Sequence, residues 1–293
     1  MSVPSATGAP PVTATLLVSC RDRTGLVAAL SRFVFDNGGN IIDADQHADL
    51  ETGLFFMRLV WSLEAFKLER PEMHAALAEL AARFDLMWEL THSDVRPRVA
   101  VLASRTPHCL YDLLLSHQLG ELGGELSVVI SNHEALRSVA GHFGVRYEHV
   151  PVDPKNRAAA EAAQRKVFDE LGVDLVVLAR YMQILSPELV ARWPGRIINI
   201  HHSFLPAFVG AKPYHQAQAR GVKVIGATAH YVTADLDQGP IIEQDVCRVS
   251  HRDDVEHMVQ KGRELERQVL TRAVRSHLAR RVLISGNRTI VFS

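Results

Sequence analysis

Four short, almost wholly apolar runs, Arg98 to Ala103, Leu126 to Ser131, Leu175 to Leu178 and Arg196 to Ile200, alternate with helical stretches near Pro107 to Gln118, Glu134 to His142 and Lys155 to Leu171. A strand that is apolar throughout is buried on both faces, and strands separated by helices run parallel beneath helices on either side. This part of the chain is therefore confined to an α/β fold with a mostly parallel central sheet. Two longer strand candidates follow, Val222 to Val232 and Ile241 to Val249, then a helix from about Arg252 to Leu278. Its end is basic, with Arg272, Arg275, Arg280 and Arg281, as the helix dipole favours. Val282 to Val291 reads as a closing hairpin.

The first part has another rhythm. Thr15 to Cys20 is a β-branched apolar run, followed by the polar turn Arg21-Asp22-Arg23-Thr24-Gly25. Leu26, Leu30, Phe33 and Val34 recur at helical spacing, and Asn37-Gly38-Gly39-Asn40 stops the helix. Strands are expected over Ile41 to Asp49 and Leu54 to Ser62, joined at Glu51-Thr52-Gly53. A second helix runs from Pro71 to Phe84 and a last strand from Leu86 to Thr91. This order gives an α+β ferredoxin-like unit. The expected organisation is a flexible tail over 1–12, a first domain over 13–93, a linker over 94–97 ending in Pro97, and a second domain over 98–293.

Composition narrows the function classes. Lys and Arg number 32 against 33 Asp and Glu, a formal net charge of −1, which argues against nucleic acid or an anionic membrane as partner. Cys20, Cys109 and Cys247 are far apart, with no CxxC pair, so the expectation is a cytoplasmic protein without a disulfide framework or structural zinc. The start of the chain lacks the basic and apolar regions of a signal peptide, and no apolar run nears the ~20 residues that span a bilayer.

Chemistry concentrates in Asn199-Ile200-His201-His202-Ser203-Phe204-Leu205-Pro206 and in Asp235-Leu236-Asp237-Gln238-Gly239-Pro240. Both lie at the edges of apolar runs, and open α/β sheets bind ligands beyond the carboxyl ends of their strands. Asn199 offers an N–H to a carbonyl oxygen that becomes negative under attack. His201, two residues on, points to the same side and can share that oxygen or protonate a leaving amine. Asp237 can support an imidazolium and take a proton from water. Singly, Asn199 and Asp237 are ordinary turn formers and His201 an ordinary loop histidine. Together they suffice for attack on a carbonyl.

The first unit, with Asp22-Arg23-Thr24-Gly25-Leu26 after its first strand, resembles the ACT regulatory domain family. That resemblance implies an amino-acid effector, methionine or glycine, near Asp22, Arg23, Thr24, Gly25, Asn37, Gly39 and Asn40, and homo-oligomers built through paired domains. The second unit resembles the folate-dependent formyltransferase fold in Asn199-Ile200-His201, Ser203, Leu205-Pro206, Leu236-Asp237-Gln238-Gly239-Pro240-Ile241 and Leu178-Ala179-Arg180-Tyr181-Met182-Gln183-Ile184-Leu185. The resemblance implies Asn199, His201 and Asp237 as the catalytic set. It also implies a folate cleft of Met182, Gln183, Ile184, Leu185, Val232, Thr233 and the backbone as far as Asp237. Gln183 departs from the basic residue that many transferases carry there. The transferases of this fold also carry a glycine-rich acceptor loop after the first strand, whereas Ala103 to Asp112 has no glycine.

An ACT-like unit joined to such a domain is similar to the formyltetrahydrofolate deformylase family, as are His108-Cys109-Leu110, Ala207-Phe208 and Gly210-Ala211-Lys212-Pro213-Tyr214-His215-Gln216-Ala217. The implied reaction is hydrolysis of 10-formyltetrahydrofolate to formate and tetrahydrofolate, feeding formate to purine synthesis, with the folate as substrate and no cofactor required. Lys212, His202 and His215 read as loop or cleft-shaping groups. The rival readings are formyl transfer to an amine acceptor, an amino-acid sensor without catalysis, and a metal hydrolase using His201, His202 and Asp237. Adjacent histidines on extended backbone point to opposite faces, which argues against the last.

Overall fold

The computed structural model describes residues 11–207 and 213–293. The first ten residues of the tail expected over 1–12, and Phe208, Gly210, Ala211 and Lys212, therefore lie outside the described residues. The chain divides into two compact units, one ending at Val95 and including Phe292–Ser293, the other spanning Arg96–Val291.

In the first unit the order is β1 (Thr13–Arg21), α1 (Leu26–Asp36), β2 (Asn40–Asp49), β3 (Leu54–Ser62), α2 (Arg70–Phe84) and β4 (Met87–His92). The strands form an antiparallel sheet in the order β2-β3-β1-β4. Leu26, Leu30 and Val34 of α1 and Met73 and Leu77 of α2 close over Leu16, Val18, Met57, Leu59 and Trp61. Helix α2 opens with a capping box, in which Glu69 and Glu72 each accept the other's backbone N–H. Strand β2 is an edge strand and is exposed along most of its length.

The second unit begins with β5 (Arg98–Ala103), α3 (His108–Gln118), β6 (Glu125–Ser131), α4 (Arg137–His142), β7 (Tyr147–His149), α5 (Arg157–Leu171) and β8 (Leu175–Ala179). It continues through α6 (Pro187–Arg192), β9 (Ile197–His201), α7 (Pro213–Arg220), β10 (Val224–Tyr231), β11 (Ile241–Arg248) and α8 (Val255–Leu278). The hairpin β12 (Val282–Ser285) and β13 (Arg288–Val291) closes it. Seven strands form one sheet, β11-β10-β9-β8-β5-β6-β7, parallel from β9 to β7 and antiparallel where β10 and β11 are added.

Alternation along β5 shows how the core divides. Val99, Val101 and Ala103 pack with α3 and α8 through Leu110, Leu113, Val269 and Leu270. Ala100 and Leu102 pack on the other face with Phe168, Leu189, Val190 and Trp193, from α5, α6 and the residue beyond α6. Three elements escape the sequence pattern. β7 is a three-residue polar edge strand, α6 is a six-residue helix capped by Ser186, and α7 begins next to the undescribed residues. The starts of α5 and α8 fall later than expected because the Asn156 and Asp254 side chains cap them, accepting from Ala159 N and His257 N.

Candidate active site

The pairing of β9 with β10 builds the site. Asn199 stands directly opposite His230, and His201 opposite Thr228, so alternate residues of two antiparallel strands share one face. His230 is 2% exposed, and its Nδ1 lies 3.0 Å from the Tyr231 carbonyl, which can only accept. Nδ1 therefore carries the proton, and Nε2 is left to accept from the Asn199 amide at 3.2 Å. One Asn199 N–H is thus pinned and the other is available to a ligand.

His201 is nine-tenths buried, and its Nδ1 lies 3.2 Å from Oδ2 of Asp237. Its Nε2 is buried and has no hydrogen-bond partner among the described residues. Asp237 sits in the loop between β10 and β11 at φ 57, a left-handed conformation in a non-glycine residue. Two places away, a Cβ on Gly239 would fall 1.7 Å from the Tyr231 carbonyl, so only glycine lets this loop close. The His201 imidazole against it holds the Asp237 carboxyl well below the usual carboxylate range, outweighing the upward push of its burial. Its other oxygen, Oδ1, is 3.7 Å from His230 Nε2, longer than a hydrogen bond.

The loop after His201 is held by Thr228, which is fully buried. Its hydroxyl donates to the Ser203 carbonyl at 2.9 Å and accepts from Leu205 N at 3.0 Å and from Gln244 Nε2 at 2.9 Å. The Leu205–Pro206 bond in this loop is cis.

A cleft of about 70 Å³ opens on this face, lined by Leu178, Gln183, Ile184, Leu185, Asn199, His230 and Val232 through Asp237. Of the residues expected to bind substrate, Gln183, Ile184, Leu185, Val232 and Thr233 line it together with Asn199 and Asp237. Met182 does not; it is 62% exposed beside them. His230 and Thr228 are not marked by the sequence pattern, because only strand register reveals whom they face.

His202 corrects one expectation. Its ring lies 5.3 Å from that of His201 rather than on the opposite face, because the strand ends at His201 and the backbone bends there. Burial and the nearby Arg180 charge push the His202 imidazole down to about 4. Among the described residues the grouping with three potential metal-ligand atoms lies elsewhere, at His108, Cys109 and Glu266, within 4.8 Å of one another. There the Arg180 guanidinium, 3.5 Å from Glu266, already supplies the positive charge.

The residues expected to bind an effector are not gathered in one chain. Asp22, Arg23, Thr24 and Gly25 precede α1, while Asn37, Gly39 and Asn40 follow it. The eleven residues of α1 set them about 16 Å apart. Arg23 is already engaged: it reaches the Arg83 carbonyl at 3.4 Å and lies over the Phe84 ring. Asn37 donates to the Phe33 carbonyl, and a Cβ on Gly39 would meet Val34 at 2.7 Å.

The comparisons with known proteins agree with this architecture. The ACT domain profile matches residues 14–81, and the formyl transferase profile matches residues 97–274. A formyltetrahydrofolate deformylase of Synechocystis sp. is 52% identical over 282 residues, 96% of this chain and 99% of the relative. The chain belongs to the formyltetrahydrofolate deformylase family. A Bacillus subtilis member is 48% identical over 95% of this chain and 93% of its own length. The crystal structure of a Pseudomonas syringae deformylase superposes with a TM-score of 0.95 at 48% identity, covering 98% of this chain and 96% of that one. The family places this chain among enzymes, and the fold is an ACT unit followed by a formyltransferase-fold unit with a mostly parallel sheet. Among the described residues no helix is long and apolar enough to cross a membrane.

Proposed function

We propose that this chain hydrolyses 10-formyltetrahydrofolate in the cleft beside Asn199, His201 and Asp237. The observation that carries the reading is that Asn199 and Asp237 line one cleft together with Leu178, Ile184, Leu185 and Val232, with His201 against Asp237, within a chain of the deformylase family. The free N–H of Asn199 and the Nε2 side of a protonated His201 face the formyl oxygen and N10. A water on Oδ1 of Asp237 adds to the formyl carbon as its proton passes to the carboxylate. His201 gives a proton to N10 as the C–N10 bond breaks, leaving tetrahydrofolate and formic acid, which ionises to formate. Asp237, so strong an acid in this setting, passes its proton on through water and the imidazolium is restored. The step draws only on substrate, water and side chains, so no cofactor enters it.

His108, bonded to buried Glu266, is part of the glycine-free stretch after β5 and supports water rather than an amine as acceptor. With labelled 10-formyltetrahydrofolate and no amine, the protein is expected to release labelled formate. Consumption of substrate only when an amine is added overturns the reading in favour of transfer.

For the first unit, the same proposal extends to homo-oligomers and an amino-acid effector, methionine or glycine. The exposed edge β2 carries Ile42 at 54% exposure, with Phe35 of α1 at 71%, an edge suited to a second copy. Pairing of two copies is also what can bring the two ends of α1 into shared pockets. Three free cysteines and formate delivered to purine synthesis fit a cytoplasmic site of action. Titration of formate release with each amino acid tests the effector.

A further inference from the structure

The parallel part of the second sheet reverses its order of addition at β5, with β6 and β7 on one side and β8 and β9 on the other. The crevice beyond β5 and β8 is where an open α/β sheet ordinarily takes its ligand. This chain fills it with its own side chains. His108, which opens α3 after β5, places Nε2 2.8 Å from Oε2 of Glu266. Arg180, the first residue beyond β8, sets Nε 3.5 Å from the same oxygen. Tyr214 donates to Oε1 at 2.9 Å. A Cβ on Gly262, one turn before Glu266 on α8, would fall 1.9 Å from the Tyr214 hydroxyl, so the helix is left bare to admit that ring. The substrate cleft is displaced one strand along, to β8, β9 and β10 at Leu178, Asn199 and His230.

Glu266 is 1% exposed. A buried ion pair is seldom worth its desolvation to stability alone, so such a carboxylate needs another reason to be there. The reason lies in the next residues. Arg180 and Met182 both adopt left-handed backbone, at φ 60 and 59, though neither is glycine. Strain of that kind persists where surrounding contacts over-determine it, and it gathers at functional sites. On one side of the turn Arg180 makes a charge contact with Glu266 rather than a hydrogen bond, and on the other the buried Tyr181 hydroxyl accepts from Gln164 Nε2 at 2.6 Å. The turn delivers Gln183, Ile184 and Leu185 to the cleft wall.

We propose that Glu266 is a positioning residue for the folate, holding the strained turn after β8 so that Gln183 to Leu185 form the substrate-binding wall. This rests on reading the cleft as the folate site. In Glu266→Gln, which keeps the shape and removes the charge, the KM for 10-formyltetrahydrofolate and the calorimetric Kd for tetrahydrofolate should each rise about tenfold or more, as for loss of one good contact. kcat should fall by less than about threefold, since the set at Asn199, His201 and Asp237 is not touched. Hydrogen exchange over residues 180–185 should quicken. The double variant Arg180→Met/Glu266→Leu replaces the ion pair with apolar groups, an exchange that folds well in other cores, and should show the same rise in Kd. Tetrahydrofolate bound by the double variant as tightly as by the unaltered protein overturns the proposal, whether or not Glu266→Gln folds. An unaltered protein that neither binds tetrahydrofolate nor releases formate overturns the folate reading instead.

Discussion

The candidate active site and the candidate effector site differ in how they are assembled. In the active site, residues distant in sequence are brought together within one chain: cross-strand register sets Asn199 against His230, and the β10–β11 loop returns Asp237 to His201. Every group there is half-buried or more, and its partners fix its orientation. The effector residues are separated by a helix, Asp22 to Gly25 are exposed, and Arg23 and Asn37 are spent on the unit's own backbone. The contrast teaches that the proposed catalytic set is gathered within a single chain, whereas the proposed effector residues would need a second copy to meet in one pocket.

The sharpest way to break the comparison is Asp237→Asn. Loss of the charge that supports the imidazolium and of the water's proton acceptor should lower kcat by about a thousandfold or more. Circular dichroism should stay native, and tetrahydrofolate should still bind. Activity within tenfold of normal would remove Asp237 from the proposed set. His230→Leu comes next. It leaves the Asn199 amide unpinned, and a misaimed oxyanion donor should cost about 10- to 100-fold in kcat. His230→Gln, which can still accept from Asn199, should recover part of that loss in the same assay.

Those two variants also mark what the sequence makes legible. Asn199 and His201 in β9 and Asp237 in the loop after β10 belong to recognisable motifs, and the apolar runs of β5, β6, β8 and β9 announce the sheet that carries them. His230 is written as one more residue of an apolar strand, and its role exists only through pairing with β9. Glu266 sits in Arg263-Glu264-Leu265-Glu266-Arg267, which reads as a solvated helix surface. Nothing local distinguishes it from Glu264, which is exposed. Tyr147-Glu148-His149 is too short and polar to signal a strand, yet it pairs with β6 because the sheet offers an open edge. Local pattern thus conveys elements and motif residues, and long-range pairing conveys the groups that orient them.

A gentler probe acts on the other side of the comparison. Ile42→Glu places a charge on the exposed edge β2 and should prevent a second copy from adding to it. Sedimentation is expected to show the monomer, and any response to methionine or glycine should vanish. Formate release without effector should stay within about twofold, since no group at Asn199, His201 or Asp237 is touched. A monomer that still responds to an amino acid would place the pocket in one chain and undo the contrast.

The smallest expected effect is on stability against pH. His202 is pushed down to about 4 by burial and the Arg180 charge, and His277 to about 3, chiefly by burial, from the ordinary 6.5. Between pH 6.5 and those values the unfolded chain binds more protons than the folded one, so stability rises with pH across that window. It is fully present above about 6.5 and is lost as the pH falls towards 4. Asp237, lowered from 3.8, adds its own loss only below that, once the unfolded carboxyl begins to protonate. All three groups belong to the second unit. Urea unfolding at pH 7, 6, 5 and 4 should therefore show midpoints that fall with pH, and His202→Asn should flatten the slope between 6.5 and 4. A slope unchanged in that variant would mean that His202 takes up its proton in the folded protein as readily as in the unfolded chain.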